Sequence, residues 1–370
     1  MKNLQNSEKA MFCLRDLYRH YGYQPYKMSR WEEYELYVRN KDFLVSDQVI
    51  TFSDRSGRLL ALKPDVTLSI IKNAPESLSE VQKVYYNENV YRADKSSGVF
   101  KEILQTGLEC IGNLGMCEIT EVVLLAAKSL ALMGQHFVLD LSHMGLISAV
   151  MDAAGLSEDQ RYQAATYLRQ KNTHELRELC IELKCADDVA AKLCALVEYS
   201  GSMKWVLAQM EIILTREQEL RALSELKMIC SVLSEQGFED NVRIDFSVGS
   251  DMKYYSGVVF KGYLEGVPAS ILSGGRYDKL LLKMGKSGGA IGFAIYLDML
   301  EQLQKSPKKY DLDTVFLHKE TDMPTLVMAL TEGLRESFEV LSVTTLPVGR
   351  TWRRLYELRD GEAVLVEDNG

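Results

Sequence analysis

The sequence has 370 residues, 46% of them apolar and 26% charged, proportions of a soluble globular chain with mass for two or three structural units. Its formal net charge of −9 argues against a broad nucleic-acid face, because holding phosphates needs a basic surface. Seven cysteines without a C-x-x-C pair argue against a zinc ribbon or a disulfide framework, and neither a secretory signal nor a membrane-length apolar run is read, so the cytoplasm is the expected compartment.

Residues 7–21 read as an amphipathic helix. Ala10, Met11, Leu14, Leu17 and Tyr18 share one face, and Gly22 ends it. Residues 49–63 read as a hairpin, VITFSD and RLLALK around a turn at Arg55–Gly57. Two more strands are predicted at about 83–92 (KVYYNENVYR) and 102–111 (EILQTGLECI). The loop between them carries Asp94, Lys95, Ser96, Ser97 and Gly98. A helix over 119–134 and a strand over 136–141 follow.

From about 150 to 237 the pattern is almost wholly helical. Ser157 with Gln160, and Asn172 with Glu175, mark helix starts; Gly201–Ser202 and Gly237 read as breaks. Strands return at 242–248, about 254–263 and 268–273, followed by the glycine-rich GGRYD (274–278) and GKSGGAIGFAI (285–295) and a helix to about 305. Ser306–Pro307 reads as a linker. Strand (314–318), helix (324–336), strand (338–343) and a tail without a clear pattern complete the chain. The class is α+β: an antiparallel sheet flanked by helices over residues 1–305, a helical insert at about 150–238, and a small αβ unit at 306–370.

Chemistry concentrates in four places. On the strand at 102–111, period-2 alternation puts Ile103, Gln105, Gly107 and Glu109 on one face. The glycine between two polar residues leaves bare backbone over which a small polar ligand could lie. Arg92, ending the neighbouring strand, offers a cation for a carboxylate. In LKPDVT (62–67), Asp65 and Thr67 form either a solvated turn or a grip for an ammonium group. In YYSGVVF (254–260), Tyr254 and Tyr255 point to opposite faces of a strand, so at most one is expected at the pocket; core packing is the alternative. In GGRYD, Arg276 is either an anion binder or an ion-pair partner. GKSGGAIGF has neither the order of a phosphate loop nor that of a dinucleotide fingerprint. The five histidines form no local metal or triad motif, so no metal is expected.

In their order these segments resemble the histidyl-tRNA synthetase group of the class II synthetase fold, over roughly residues 7–305. YR-x-D (91–94) and QTGLE (105–109) resemble its motif 2, LKPDVT its amino-acid loop, YYSGVVF and GGRYD its two histidine signatures, and AIGFAIYLDML (290–300) its motif 3. The resemblance implies that Asp65, Thr67 and Gln105 hold the α-amino group of histidine. It implies that Arg92 lies near the carboxylate, and that Glu109 and Tyr255 bond the imidazole. Tyr254 belongs to the same signature, and the resemblance implies that Arg276 and Tyr277 could support the pocket.

Three departures stand against that likeness. Met299 occupies the motif 3 position where the group carries a triphosphate-binding arginine, Ser250 that of the histidine-specific arginine, and Val99 that of a motif 2 loop arginine. Losing one fixed donor to developing phosphate charge costs ~10²–10³ in rate, so no catalytic residue and no cofactor are expected. About 65 residues remain where the group has an anticodon-binding domain, so tRNA is not an expected partner. The KPDVT loop resembles the form found in regulatory subunits of ATP phosphoribosyltransferase. That resemblance implies a non-catalytic, self-associating subunit that binds histidine as effector and works with a short catalytic subunit. A divergent synthetase, or a synthetase-like scaffold with another ligand, are the alternatives.

Overall fold

The computed structural model describes residues 5–44, 48–75, 80–94, 97–134, 136–248, 254–302 and 309–370. Lys95, Ser96, Ser250 and Ser306–Pro307 lie outside them. The chain divides into two compact units, Met1–Leu303 and Gln304–Gly370.

The first unit opens with α1 (Asn6–His20), whose apolar stripe buries Ala10, Leu14 and Tyr18. Gly22, at φ +84°, lets the chain turn away where a side chain would be strained. Then come β1 (Gln24–Pro25), β2 (Trp31–Glu33), α2 (Tyr34–Arg39), β3 (Thr51–Ser53) and β4 (Leu59–Leu62). β2, β4 and β3 make a small antiparallel sheet. α3 (Thr67–Asn73) starts directly after the KPDV loop.

β5 (Gln82–Ala93) and β6 (Phe100–Gly112) form the long hairpin of a nine-stranded sheet. α4 (Met116–Met133) and β7 (Phe137–His143) follow. The helical insert comprises α5 (Met144–Ala153), α6 (Glu158–Arg169), α7 (Thr173–Glu182), α8 (Asp187–Glu198), the two-residue β8 (Gly201–Ser202), α9 (Met203–Ile213) and α10 (Glu217–Glu235). Its caps are those the residues suggest. Ser157 and Gln160 bond each other's backbone N–H, and Asn172 accepts from the N–H of Glu175. A fully buried pair, Lys192 Nζ to Glu219 Oε2 at 2.9 Å, ties α8 to α10.

The sheet closes with β9 (Val242–Ile244), β10 (Val258–Leu264), β11 (Leu272–Arg276) and, after α11 (Asp278–Lys283), β12 (Gly289–Tyr296). Strand order is β1-β5-β6-β12-β11-β10-β7-β9-β8. The sheet is mixed: β1 runs parallel to β5 and β7 parallel to β9, the other pairs being antiparallel. The main core lies between this sheet and α1, α4 and the insert.

Several elements differ from the sequence reading. The strand expected at 242–248 stops at Ile244 because the Asp245 carboxylate accepts the N–H and hydroxyl of Ser247 and turns the chain into a 3-10 turn. The one expected at 254–263 begins at Val258, since Ser256 is drawn to the carbonyl of Arg276. The one placed at 268–273 forms instead at Leu272–Arg276. GAIGFAIY is a central strand, and the helix expected to about 305 is a 3-10 segment, Leu297–Gln302.

The second unit holds β13 (Leu312–Leu317), α12 (Pro324–Arg335), β14 (Val340–Val343), β15 (Trp352–Arg359) and β16 (Glu362–Asp368), in sheet order β14-β13-β15-β16. The patternless tail is the β15–β16 hairpin. Its two-residue turn is Asp360–Gly361, both with positive φ, as a tight Asp-Gly hairpin requires.

Candidate functional site

A cavity of about 160 Å³ opens in the first unit. Its walls are the start of α3, facing residues of β5 and β6, the glycine-bearing strands β11 and β12, and the turn before β10. Asp65, Thr67, Arg92, Gln105, Glu109, Tyr254, Tyr255 and Tyr277 all line it. Arg276 does not: its Nε donates to Asp278 at 2.8 Å, which settles it as an ion-pair partner. Gln105 and Glu109 share the cavity face, as alternation along β6 requires. Tyr254 and Tyr255 do not take opposite faces, because both precede the strand. In the turn their rings meet edge to face, centroids 4.6 Å apart, and both reach the cavity.

Glu109 lies at the bottom, 2% exposed. Thr67 Oγ1 donates to its Oε1 at 2.7 Å, and the Tyr277 hydroxyl donates to its Oε2. Burial pushes its carboxyl up to about 8; the hydroxyls oppose the shift and the nearby Asp65 adds to it. Its place depends on β12. Glu109 pairs with Gly292, where a Cβ would sit 1.7 Å from Glu109 Oε2. Only a glycine there lets the carboxyl cross the neighbouring strand.

Asp65 accepts the N–H of Leu68 at 2.9 Å, pinning the loop to the first turn of α3. Burial raises its carboxyl, against the pull of Arg92 and of backbone N–H groups. Arg92, itself 8% exposed, donates from Nε to the Pro64 carbonyl at 2.6 Å, and its Nη2 stands 3.9 Å from Asp65 Oδ2. The arginine therefore holds the LKPDVT loop as well as offering charge to the cavity. Gln105 is 1% exposed, and its Nε2 has no partner among the described residues, a donor left for whatever enters.

Tyr86, Gly292 and Tyr296 line the cavity and were missed in the sequence. Tyr86 was findable: alternation on β5 puts it on the face of Arg92. It also corrects the picture of bare backbone at Gly107. A Cβ at Gly107 would come 2.5 Å from the Tyr86 hydroxyl, so the gap is filled by that ring.

The surroundings of motif 3 are acidic. Met299 packs against the main core. Beside it, Asp298 accepts the N–H of Leu104 at 3.0 Å; burial, then Glu102 and Glu301, raise its carboxyl. Val99 is exposed, in the short turn where Asp94 N–H bonds its carbonyl at 2.9 Å.

Such a sheet, with polar residues of a motif 2 hairpin and a central glycine strand around an amino-acid-sized cavity, is that of a class II synthetase core. The histidyl-tRNA synthetase family model matches residues 2–300, and the chain belongs to that family. Within it the chain is similar to an ATP phosphoribosyltransferase regulatory subunit from Acetivibrio thermocellus, 28% identical over 332 residues, 87% of this chain and 79% of the relative. Its fold is that of the ATP phosphoribosyltransferase regulatory subunit/histidyl-tRNA synthetase from Bacillus halodurans (TM-score 0.77, 24% identity, 95% of this chain and 93% of that one). It also resembles a chain of the ATP phosphoribosyl transferase (HisG:HisZ) complex from Thermotoga maritima (TM-score 0.62, 18% identity, 79% and 97% covered).

Proposed function

We propose that this chain is the regulatory subunit of an ATP phosphoribosyltransferase, that its cavity binds histidine, and that it confers activity and histidine feedback on a short catalytic subunit in the cytoplasm. The observation that carries the reading is the convergence of Asp65, Thr67, Arg92, Gln105, Glu109, Tyr254 and Tyr255 on one cavity in a chain whose curated relatives are named as regulatory subunits. Asp65, Thr67 and Gln105 suit the α-amino group, and Arg92 the α-carboxylate. Glu109, with Tyr255, suits the imidazole. Met299, where the synthetase group carries a triphosphate-binding arginine, favours a sensor over a catalyst.

The chain works as a dimer within a hetero-oligomer. Histidine transmits an effect only by preferring one arrangement of the complex, with a coupling of ~1–3 kcal/mol. The test is co-purification with a short catalytic subunit, followed by activity and histidine titrations. Histidine-sensitive activity that needs this chain supports the reading. Catalysis indifferent to the chain, or histidine-dependent pyrophosphate exchange by the chain alone, overturns it.

A further inference from the structure

Among the described residues lining the cavity Arg92 is the one cation, and it is committed to the Pro64 carbonyl and the Asp65 side of the site. Glu109 faces hydroxyls instead: Thr67 from α3 and Tyr277 beyond β11. Tyr254, Tyr86 of β5 and Asp65 are the other titratable groups near it. From β12 it meets the backbone of Gly292, and Tyr296 of the same strand is a further titratable group lining the cavity. A hydroxyl can donate or accept, so this shell fits a carboxylic acid as well as a carboxylate. A fixed N–H or a cation would lock the anion, as Leu68 N–H and Arg92 favour for Asp65. With both carboxylates ionised the lining carries one uncompensated negative charge. A zwitterionic amino acid with a protonated ring neutralises it.

We propose that the complex with histidine holds one proton between the imidazole ring and Glu109. This rests on the histidine reading above and assigns the protonation state of that complex. In the step itself the Glu109 O–H bond breaks and an N–H bond forms at the basic ring nitrogen. Carboxylic acid and neutral ring become carboxylate and ring cation, and the hydroxyls of Thr67 and Tyr277, which donate to the two carboxyl oxygens, hold the anion that results. No proton is exchanged with solvent. The Glu109 carboxyl, raised to about 8, and a ring near its ordinary ~6.5 define a window in which the pair arrives with one proton. Below the window both partners are protonated and one proton must leave. Above it both are bare and one must be taken up.

The test is isothermal titration of the full chain with L-histidine from pH 5 to 10, in buffers of different ionisation heat. The expected result is affinity level between about 6.5 and 8, about tenfold weaker per pH unit on either side, and net proton exchange near zero at pH 7. Glu109→Gln should lose the limb near 8 while keeping any limb due to the ligand's own ammonium group. 1,2,4-Triazole-3-alanine, a weakly basic ring of the same shape, should bind at least tenfold more weakly. Release or uptake of about one proton per histidine at pH 7, or equal binding of the triazole, overturns proton sharing and leaves the histidine reading standing. The proton count is read on the unaltered chain, so it decides even if the variant does not fold. No binding of histidine at any pH overturns the histidine reading itself.

Discussion

Replacing Glu109 by glutamine should change how the stability of the unliganded chain depends on pH. Glu109 is 2% exposed, and burial raises its carboxyl from 4.5 to about 8. A group whose folded value lies above its unfolded value favours the folded state fully below the unfolded value. That contribution is lost as pH rises through the folded value. Here the window runs from 4.5 to about 8. At ~1.4 kcal/mol for each tenfold change in proton affinity, the loss across it is on the order of 4–5 kcal/mol. Glutamine keeps the shape and removes the titration. Urea unfolding of both proteins at pH 5, 7 and 9 measures the effect, and subtracting one from the other cancels every group they share. Relative to Glu109→Gln, the unaltered chain should weaken from pH 5 to 7 and again to 9, the decline levelling above about 8. A difference that stays flat would refute the burial argument for this carboxyl.

Gly292→Ala should cost ~1–3 kcal/mol by overpacking and abolish histidine binding, because the added Cβ occupies the place of the Glu109 carboxylate; melting and titration calorimetry read the two effects. Arg92→Met removes a buried donor from the Pro64 carbonyl at a cost of ~1–3 kcal/mol and should weaken histidine binding as the LKPDVT loop loosens. Lys192→Met leaves Glu219 buried without its cation, held only by the N–H groups of Thr215 and Arg216, and should lower stability by ~3–5 kcal/mol in denaturant titration. Ser157→Ala should cost about 1 kcal/mol by uncapping α6 while leaving histidine affinity unchanged, so a matched loss of affinity would contradict the separation of insert and cavity.

Local rules read well wherever one element acts alone. Alternation along β6 placed Gln105 and Glu109 on the cavity face, the stripe of α1 chose Ala10, Leu14 and Tyr18, and Ser157 and Asn172 marked their helix starts. Each depends on spacing within one segment. The Asp360–Gly361 turn was equally local, a dipeptide signal that went unread in the tail.

Misreadings arose where neighbours overrule a segment. GAIGFAIY, read only as part of a glycine-rich stretch, is the strand between β6 and β11, because small residues fit where side chains from both sides converge. Tyr254 and Tyr255 alternate only if they lie on a strand; the carbonyl of Arg276 draws Ser256 into a turn and both rings reach the cavity.

The sequence by itself determined the α+β class, the order of elements, the likeness to the synthetase group and most of the residues of the cavity, all of which depend on pattern along the chain. Tertiary structure alone decided the rest. It showed that Arg92, read only as a cation for a ligand carboxylate, also binds the LKPDVT loop, and that Tyr86 covers Gly107. It showed too that Glu109 stands among hydroxyls with no cation opposite it among the described residues. Those are facts about charge and space between distant segments, and burial sets their energy only once the strands have come together.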